Sequence, residues 1–281
     1  MAIITLARET FSGARKVAED ISQELGYRLV SREGIMERIA QYGISEHRLE
    51  RVRCRHLGLL PRRDLEWIHY LAYTRAALSK EIQQGNLVYL GDDGRILLRN
   101  FPNVLSGHVA AGMEYRIDAF MKRNDYAVGR KEAKRFIEKI DKNRARWGRI
   151  LYNDGRFDPS EFDFVIDPGV MSIPDACEII RANVGLPRFQ TTPESLKTVE
   201  WMTLAADLRA RIAMEANIVD DDIQVEVRDG VIKICGSVHS TEDADALREL
   251  LRKQPEVEDV ELPALNDVSS PLLPESASIH A

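Results

Sequence analysis

Several things are scarce in this chain, and each scarcity excludes something. Only three cysteines occur among 281 residues, Cys54, Cys177 and Cys235, with no paired or metal-like spacing. A disulfide framework and a cysteine-built zinc site are therefore not expected. Six histidines are scattered, with no HxH or HExxH pattern to propose a structural metal. No run of 18 apolar residues exists, so no transmembrane segment is expected. The amino terminus enters a strand pattern directly, without an apolar leader, and the expectation is a cytoplasmic protein with reduced thiols. Excess positive charge is also missing. The formal net charge is −6, which gives no case for nonspecific nucleic-acid binding.

What is present is enough for a full core and more than one folded unit, with 44% hydrophobic and 30% charged residues. Ile3-Ile4-Thr5-Leu6 reads as a buried strand. Val17, Ala18, Ile21 and Leu25 then form a helical stripe closed by Gly26. A second short strand is expected at 27–30 and a helix at 33–41, broken by Gly43. An Arg-rich stretch to Arg63 reads as short helix and loop. A strong helix follows over 64–84, then a buried strand at 87–91. Residues 104–110 read as a strand, 113–123 as a helix, 132–147 as a long basic helix, and 162–167 as the last central strand. Pro174 sits in the first turn of a helix over 173–184. Strands alternating with helices predict a mostly parallel sheet with helices on both faces.

The pattern changes after 184. Residues 185–200 carry prolines and threonines and read as a linker. A helix over 198–216 leads to a hairpin signal, Ile223–Val227 and Val231–Gly236 around Asp229-Gly230. Ser240 or Thr241 can cap a helix over 241–253, and 257–262 supplies a third strand. This is a small α+β unit, 201–265, and 266–281 reads as a flexible tail.

The strand–loop–helix at 3–16 has the layout of a phosphate-binding loop, in which backbone N–H groups and a helix N-terminus hold an anion. Only one glycine, Gly13, stands in it. At the residues themselves a family resemblance emerges. Ile3-Ile4-Thr5-Leu6-Ala7-Arg8-Glu9-Thr10-Phe11-Ser12-Gly13-Ala14-Arg15 is similar to the I-T-I-S-R-E-Y-G-S-G-G-R opening of the cytidylate-kinase-like family of P-loop proteins. The likeness recurs at Leu25-Gly26-Tyr27, Val88-Tyr89-Leu90-Gly91 and Phe101-Pro102-Asn103-Val104. It continues at Lys131-Glu132-Ala133-Lys134, Ile140-Asp141-Lys142-Asn143-Arg144-Ala145-Arg146 and Phe162–Asp167. Residues 203–265 resemble a BON module.

The resemblance implies a nucleotide-kinase-like domain over 1–184 with a degenerate P-loop, and ATP with Mg2+ as cofactors. It places Ser12, Gly13, Ala14, Arg15 and Lys16 at the donor phosphates, and Arg32 and Arg135 on the substrate side. Arg15, Arg144 and Arg146 stabilise the transferring phosphoryl group, Arg144 and Arg146 from a lid. Asp141 orients an arginine. The BON-like unit implies a protein or lipid partner.

Departures from the family pattern leave two functions open. Phe11 and Ala14 stand where glycine is usual, and the bulk of Phe11 is expected to crowd the anion or strain the loop. Gly91-Asp92-Asp93 replaces a Gly-Arg-Gly turn, placing acids where phosphates would lie. Ser31 replaces an aspartate. One reading is slow ATP-dependent phosphoryl transfer to a nucleoside monophosphate. The other is a noncatalytic nucleotide-binding or scaffold protein with a recognition module.

Overall fold

The computed structural model describes residues 2–42, 44, 65–151, 158–215, 223–229, 231–238, 240–252 and 259–267. The Arg-rich stretch expected at 45–63 and the residues after 267 lie outside this set, as do the side chains of 146–151.

Five parallel strands form one sheet in the order β2-β3-β1-β4-β5: β1 Ile3–Arg8, β2 Arg28–Ser31, β3 Leu87–Leu90, β4 Val104–Val109 and β5 Phe164–Ile166. The side-chain period of two sends neighbours to opposite faces. Ile3, Leu87 and Tyr89 enter one core with α2 Arg32–Ile39, α3 Leu65–Gln83 and the short α4 Gly94–Leu97. Ile4, Leu6, Val88 and Leu90 enter the other with α1 Ala14–Leu25 and α7 Ile173–Val184. All these strand residues are at most 1% exposed, each contributing about 1.5–3 kcal/mol of apolar burial. The basic pair α5 Met113–Arg123 and α6 Arg130–Leu151 pack on each other beside the sheet. Helix α6 is longer at both ends than the 132–147 expected from its sequence.

The segment expected to be a linker, 185–200, is structured. Pro187 opens a 3-10 turn, Pro187–Phe189, and Phe189 is buried. Helix α8, Pro193–Ile212, then begins with Thr192 as N-cap, Pro193 at its first position and a reciprocal Thr192–Ser195 capping pair. The Pro and Thr residues that resemble linker composition are helix-start chemistry here.

Helix α8 serves two cores. Val199, Ala206 and Ala210 lie in the core of the parallel sheet, against α3. Leu208 and Ile212 lie in a second core with Ile223, Ile232, Ile234, Leu247 and Leu251. That second core belongs to a three-stranded sheet, β6 Gln224–Arg228, β7 Val231–Val238 and β8 Asp259–Asp267, covered by α9 Thr241–Arg252. The β6–β7 pair is antiparallel and β7–β8 parallel. Ser240 caps α9 by accepting the Asp243 N–H at 3.0 Å. Strand β8 runs through Asn266 and Asp267, residues expected to start the tail.

Asp207 fastens the shared helix. It accepts hydrogen bonds from Tyr42 at 2.9 Å, Lys80 at 2.5 Å and Arg211 at 2.7 Å. Those partners hold its carboxyl below the usual range, although burial pushes the other way.

Candidate functional site

The chain leaves β1 toward β2 on one side and leaves β4 toward β5 on the other. This divergence opens a crevice outside the carboxyl ends of β1 and β4. Loop 9–13 lies there. Its backbone is tied by the Glu9 N–H to Val109 O at 3.0 Å and the Ser12 N–H to Glu9 O at 3.3 Å.

Gly13 is the N-cap of α1, left-handed with φ 86°, and no side chain caps the helix. The first-turn N–H groups therefore keep their donor capacity toward the crevice. The hydroxyls of Thr10 and Ser12 are buried, at 7% and 1% residue exposure, and find no hydrogen-bond partner among the described residues. A buried hydroxyl without a partner costs about 1–3 kcal/mol, and here two occur in one loop. The first turn of α1 also carries Arg15 and Lys16 and no acid, a pairing the helix dipole disfavours. Uncapped donors, orphan hydroxyls and misplaced cations all fit an anion at this position. A Cβ on Gly13 would lie 3.1 Å from Tyr115 Oη and 3.6 Å from Pro168, besides requiring positive φ.

Arg15 and Lys16 do not turn back over the loop. Both are exposed and pair one helical turn onward, Arg15 with Glu19 at 3.9 Å and Lys16 with Asp20 at 2.5 Å. Ala14 is buried in the core under α1.

Phe11 shows one of the two outcomes expected for it, the backbone strain, and not the crowding. Its φ is 61°, a region that costs a non-glycine residue about 1–2 kcal/mol. The ring, however, leaves the loop. It packs edge-on to Phe120 at 4.9 Å and lies 6.5 Å from Phe136, with the Arg123 guanidinium 5.9 Å above it. Ile117, Ala133 and Ile137 complete this cluster between α5 and α6. The aromatic residue thus strains the backbone and anchors the loop without filling it.

A buried arginine absent from the sequence expectations braces the same loop. Arg116 of α5 is 5% exposed. Its Nε donates to Thr10 O at 2.7 Å, its Nη2 to Asp141 at 2.5 Å, and its Nη1 lies 3.5 Å from Glu9. Glu9 in turn accepts the Ala111 N–H at 3.0 Å. Asp141 therefore orients an arginine, and that arginine is Arg116. The sequence signal was a charged residue in the Met113–Ile117–Phe120 apolar stripe of α5.

Arg144 reaches across from α6. Its Nη1 donates to Arg8 O at 2.5 Å and lies 3.4 Å from Asp92 Oδ2, while Asp92 Oδ1 accepts the Arg8 N–H at 3.2 Å. Burial lowers the Arg8 pKa, as does the Arg144 charge, with Asp92 and Glu33 opposing. His108 of β4 is held neutral, pushed down to about 4 chiefly by burial.

Arg32 stands apart from this group. It donates to the Tyr70 hydroxyl at 2.5 Å and lies 3.5 Å from Asp93, to which Tyr89 donates at 2.7 Å. Burial opposes its charge, but Tyr70 and Asp93 outweigh burial and raise its pKa. Asp93 is fully buried, and burial raises its carboxyl despite Arg32 and Tyr89. Arg135 is exposed on α6. Arg146 belongs to α6, and its side chain lies outside the described residues. Among the described residues no group of three His, Cys, Asp or Glu could hold a metal ion, and no helix is long and apolar enough to cross a membrane.

The family model described as "cytidylate kinase-like family" matches residues 3–169, more than half of the chain. The chain belongs to the cytidylate kinase-like family. A BON domain model matches residues 203–262 of this cytidylate kinase-like chain. No curated protein matches it. Among solved structures it is similar to an uncharacterized protein from Eubacterium ventriosum, with 19% identity over 66% of this chain and 98% of that one, at a TM-score of 0.49. It is also similar to shikimate kinase from Bacteroides thetaiotaomicron, with 10% identity over 66% and 99%, at a TM-score of 0.39. Deoxyadenosine kinase from M. mycoides with bound dATP gives 14% identity over 66% and 100%, at a TM-score of 0.35.

Proposed function

We propose that this cytidylate kinase-like protein binds nucleotide phosphates at loop 9–13 and the first turn of α1, and transfers a phosphoryl group to a nucleoside monophosphate slowly at most. The observation that carries the reading is the uncapped helix N-terminus beside the buried, unpartnered hydroxyls of Thr10 and Ser12. Binding of an anion there satisfies all of them together.

The residues fit a triphosphate better than they fit its metal ion. Backbone N–H groups from Gly13 to Lys16 and the two hydroxyls suit phosphate oxygens. Lys16 stands where a Walker loop places its metal-binding hydroxyl, which leaves Ser12 as the nearby hydroxyl ligand for Mg2+. A bound ATP with Mg2+ supplies the transferable group. Arg116 holds the loop in shape, and Arg144 faces the crevice as the cation for developing charge.

The slow rate follows from where the cations are spent. Arg15 and Lys16 are paired along α1, and Arg144 is engaged with Asp92. Those same engagements favour the second reading, nucleotide binding without transfer, in which the BON domain recognises a protein or lipid partner. Both readings share the phosphate site.

An equilibrium titration of the full chain with ATP, with and without Mg2+, followed by a phosphotransfer assay against the common nucleoside monophosphates, tests the proposal. Saturable ATP binding with turnover below about 1 s⁻¹, the low end for kinases, is expected. Turnover well above that would overturn the assignment of Arg15, Lys16 and Arg144 as engaged elsewhere. No binding would overturn the phosphate site.

A further inference from the structure

Helix α6 gathers positive charge on its outward side. Lys131, Arg135, Lys139 and Lys142 follow one another at intervals of four, four and three residues. At 3.6 residues per turn they fall within an arc of about 80° and along about 17 Å of helix. All four are exposed. The opposite side of the helix turns inward, where Ala133 and Ile137, both 0% exposed, join the cluster with Phe120 and Phe11.

Like charges three or four residues apart repel on a helix surface. Among the described residues none of the four has an ion-pair or hydrogen-bond partner. Other cations of the same helix do: Arg130 pairs with Glu114 and Asp118, Lys134 with Glu138 at 3.9 Å, and Arg144 with Asp92 at 3.4 Å. A chain with 45 acids against 39 lysines and arginines thus leaves this stripe without a counter-charge. Two aromatic side chains stand in the open nearby. Tyr126, at the corner between α5 and α6, is 67% exposed, and Phe136 is 44% exposed. Asp125 and Tyr126 are both left-handed, with φ 49° and 58°, a conformation few non-glycine residues adopt. The corner sustains that strain while showing a tyrosine to solvent.

We propose that this face of α6 docks on an anionic phospholipid surface, with Lys131, Arg135, Lys139 and Lys142 over the headgroups and Tyr126 and Phe136 at the interface. The four cations lie along one line on the convex side of one helix, which is the shape that meets a plane. A nucleic-acid strand is instead tracked by a basic groove, and here the acids Glu132 and Glu138 border the stripe on its two sides. Three of the four cations are lysines, hydrated point charges that suit a diffuse surface potential better than bidentate pairing. A tyrosine ring, apolar with one polar edge, settles at a membrane–water boundary. Asp141 meets Arg116, and Arg144 meets Arg8, on the inward side of α6. The docking face is therefore separate from the phosphate site and does not draw on that reading.

Flotation of the full chain with vesicles of phosphatidylcholine, alone and with about 30% phosphatidylglycerol, tests this. Binding to the mixed vesicles and not to the neutral ones is expected, with release at about 0.5 M NaCl. Combining Lys131→Gln, Arg135→Gln, Lys139→Gln and Lys142→Gln is expected to lower the partition coefficient by about tenfold or more. The pair Lys139→Gln and Lys142→Gln, expected to lower it by about fivefold, is the second variant should the first not fold. Tyr126→Ala should lower it by about threefold. A matched control in the BON domain, Arg228→Gln, Lys233→Gln, Arg248→Gln and Arg252→Gln together, removes the same charge and should change it by less than about threefold. Equal binding to the two vesicles, a folded stripe variant that binds like the wild type, or a loss confined to the BON-domain variant would each overturn the proposal. An oligonucleotide that binds the wild type more tightly than the mixed vesicles, and not the stripe variant, would assign the stripe to nucleic acid and overturn the membrane surface.

Discussion

Replacing Phe11 by alanine and by glycine separates two effects that the structure assigns to one residue. Alanine removes the ring from the α5–α6 cluster. Loss of a partly buried phenyl and its edge contact with Phe120 costs about 2–3 kcal/mol. Alanine retains a Cβ, so the strain at φ 61° stays. Glycine loses the same ring but is at ease in the left-handed region. After its larger loss of chain entropy on folding, glycine is expected to be more stable than alanine by about 0.5–1 kcal/mol, the reverse of the ordinary ranking. Urea denaturation of the three proteins, followed by tryptophan fluorescence, measures both differences. Equal stability of wild type and alanine would refute the anchoring role of the ring, and an alanine variant more stable than glycine would refute the positive φ. Because the ring leaves the loop, Phe11→Gly is not expected to strengthen phosphate binding, in contrast to the crowding inferred from sequence.

Three further outcomes follow from buried charge. The folded pKa of His108, about 4, lies below its unfolded value near 6.5, so the folded state releases a proton between them. Stability is full above pH ~6.5 and falls as pH drops toward ~4, by at most about 3 kcal/mol, a slope that His108→Gln should flatten in denaturation at several pH values. Asp207→Ala strips Tyr42, Lys80 and Arg211 of their acceptor and should cost about 3 kcal/mol. Because α8 serves both cores, hydrogen exchange should show α3 and the β6–β7 hairpin losing protection together; loss in one alone would count against coupling. Arg116→Met leaves Asp141 and Glu9 without their cation and should lower both thermal stability and ATP affinity, with partial rescue by Arg116→Lys.

The parallel sheet was legible because its strands are short apolar runs, such as Ile3–Leu6 and Leu87–Leu90, set between helices with a clear stripe. Loop 9–13 was legible from its place between β1 and α1. What its residues do was less so. The conformation of Phe11 depends on a pocket formed by Phe120 and Phe136, more than a hundred residues away, and no local pattern announces it. Helix α8 was read as starting at 198 instead of 193, with its first residues taken as linker, because apolar residues lie on two faces: Val199, Ala206 and Ala210 on one and Leu208 and Ile212 on the other. A helix buried on both sides loses the one-sided periodicity that marks a helix end. Arg116 and His108 were missed, and Asp93 was read as an acid facing phosphates when it is a buried partner of Tyr89 and Arg32, for a related reason. A buried charge is explained by partners from other elements, and only folding brings Thr10 to Arg116 or Arg144 to Asp92.

The central claim is that nucleotide phosphates sit at the start of α1. A crystal structure of the full chain with a non-hydrolysable ATP analogue and Mg2+ tests it most directly. The account predicts phosphate oxygens within hydrogen-bond distance, about 2.7–3.2 Å, of the N–H groups from Gly13 to Lys16 and of the Ser12 or Thr10 hydroxyl. Analogue bound elsewhere on the chain, with those two hydroxyls still unpartnered, would contradict it.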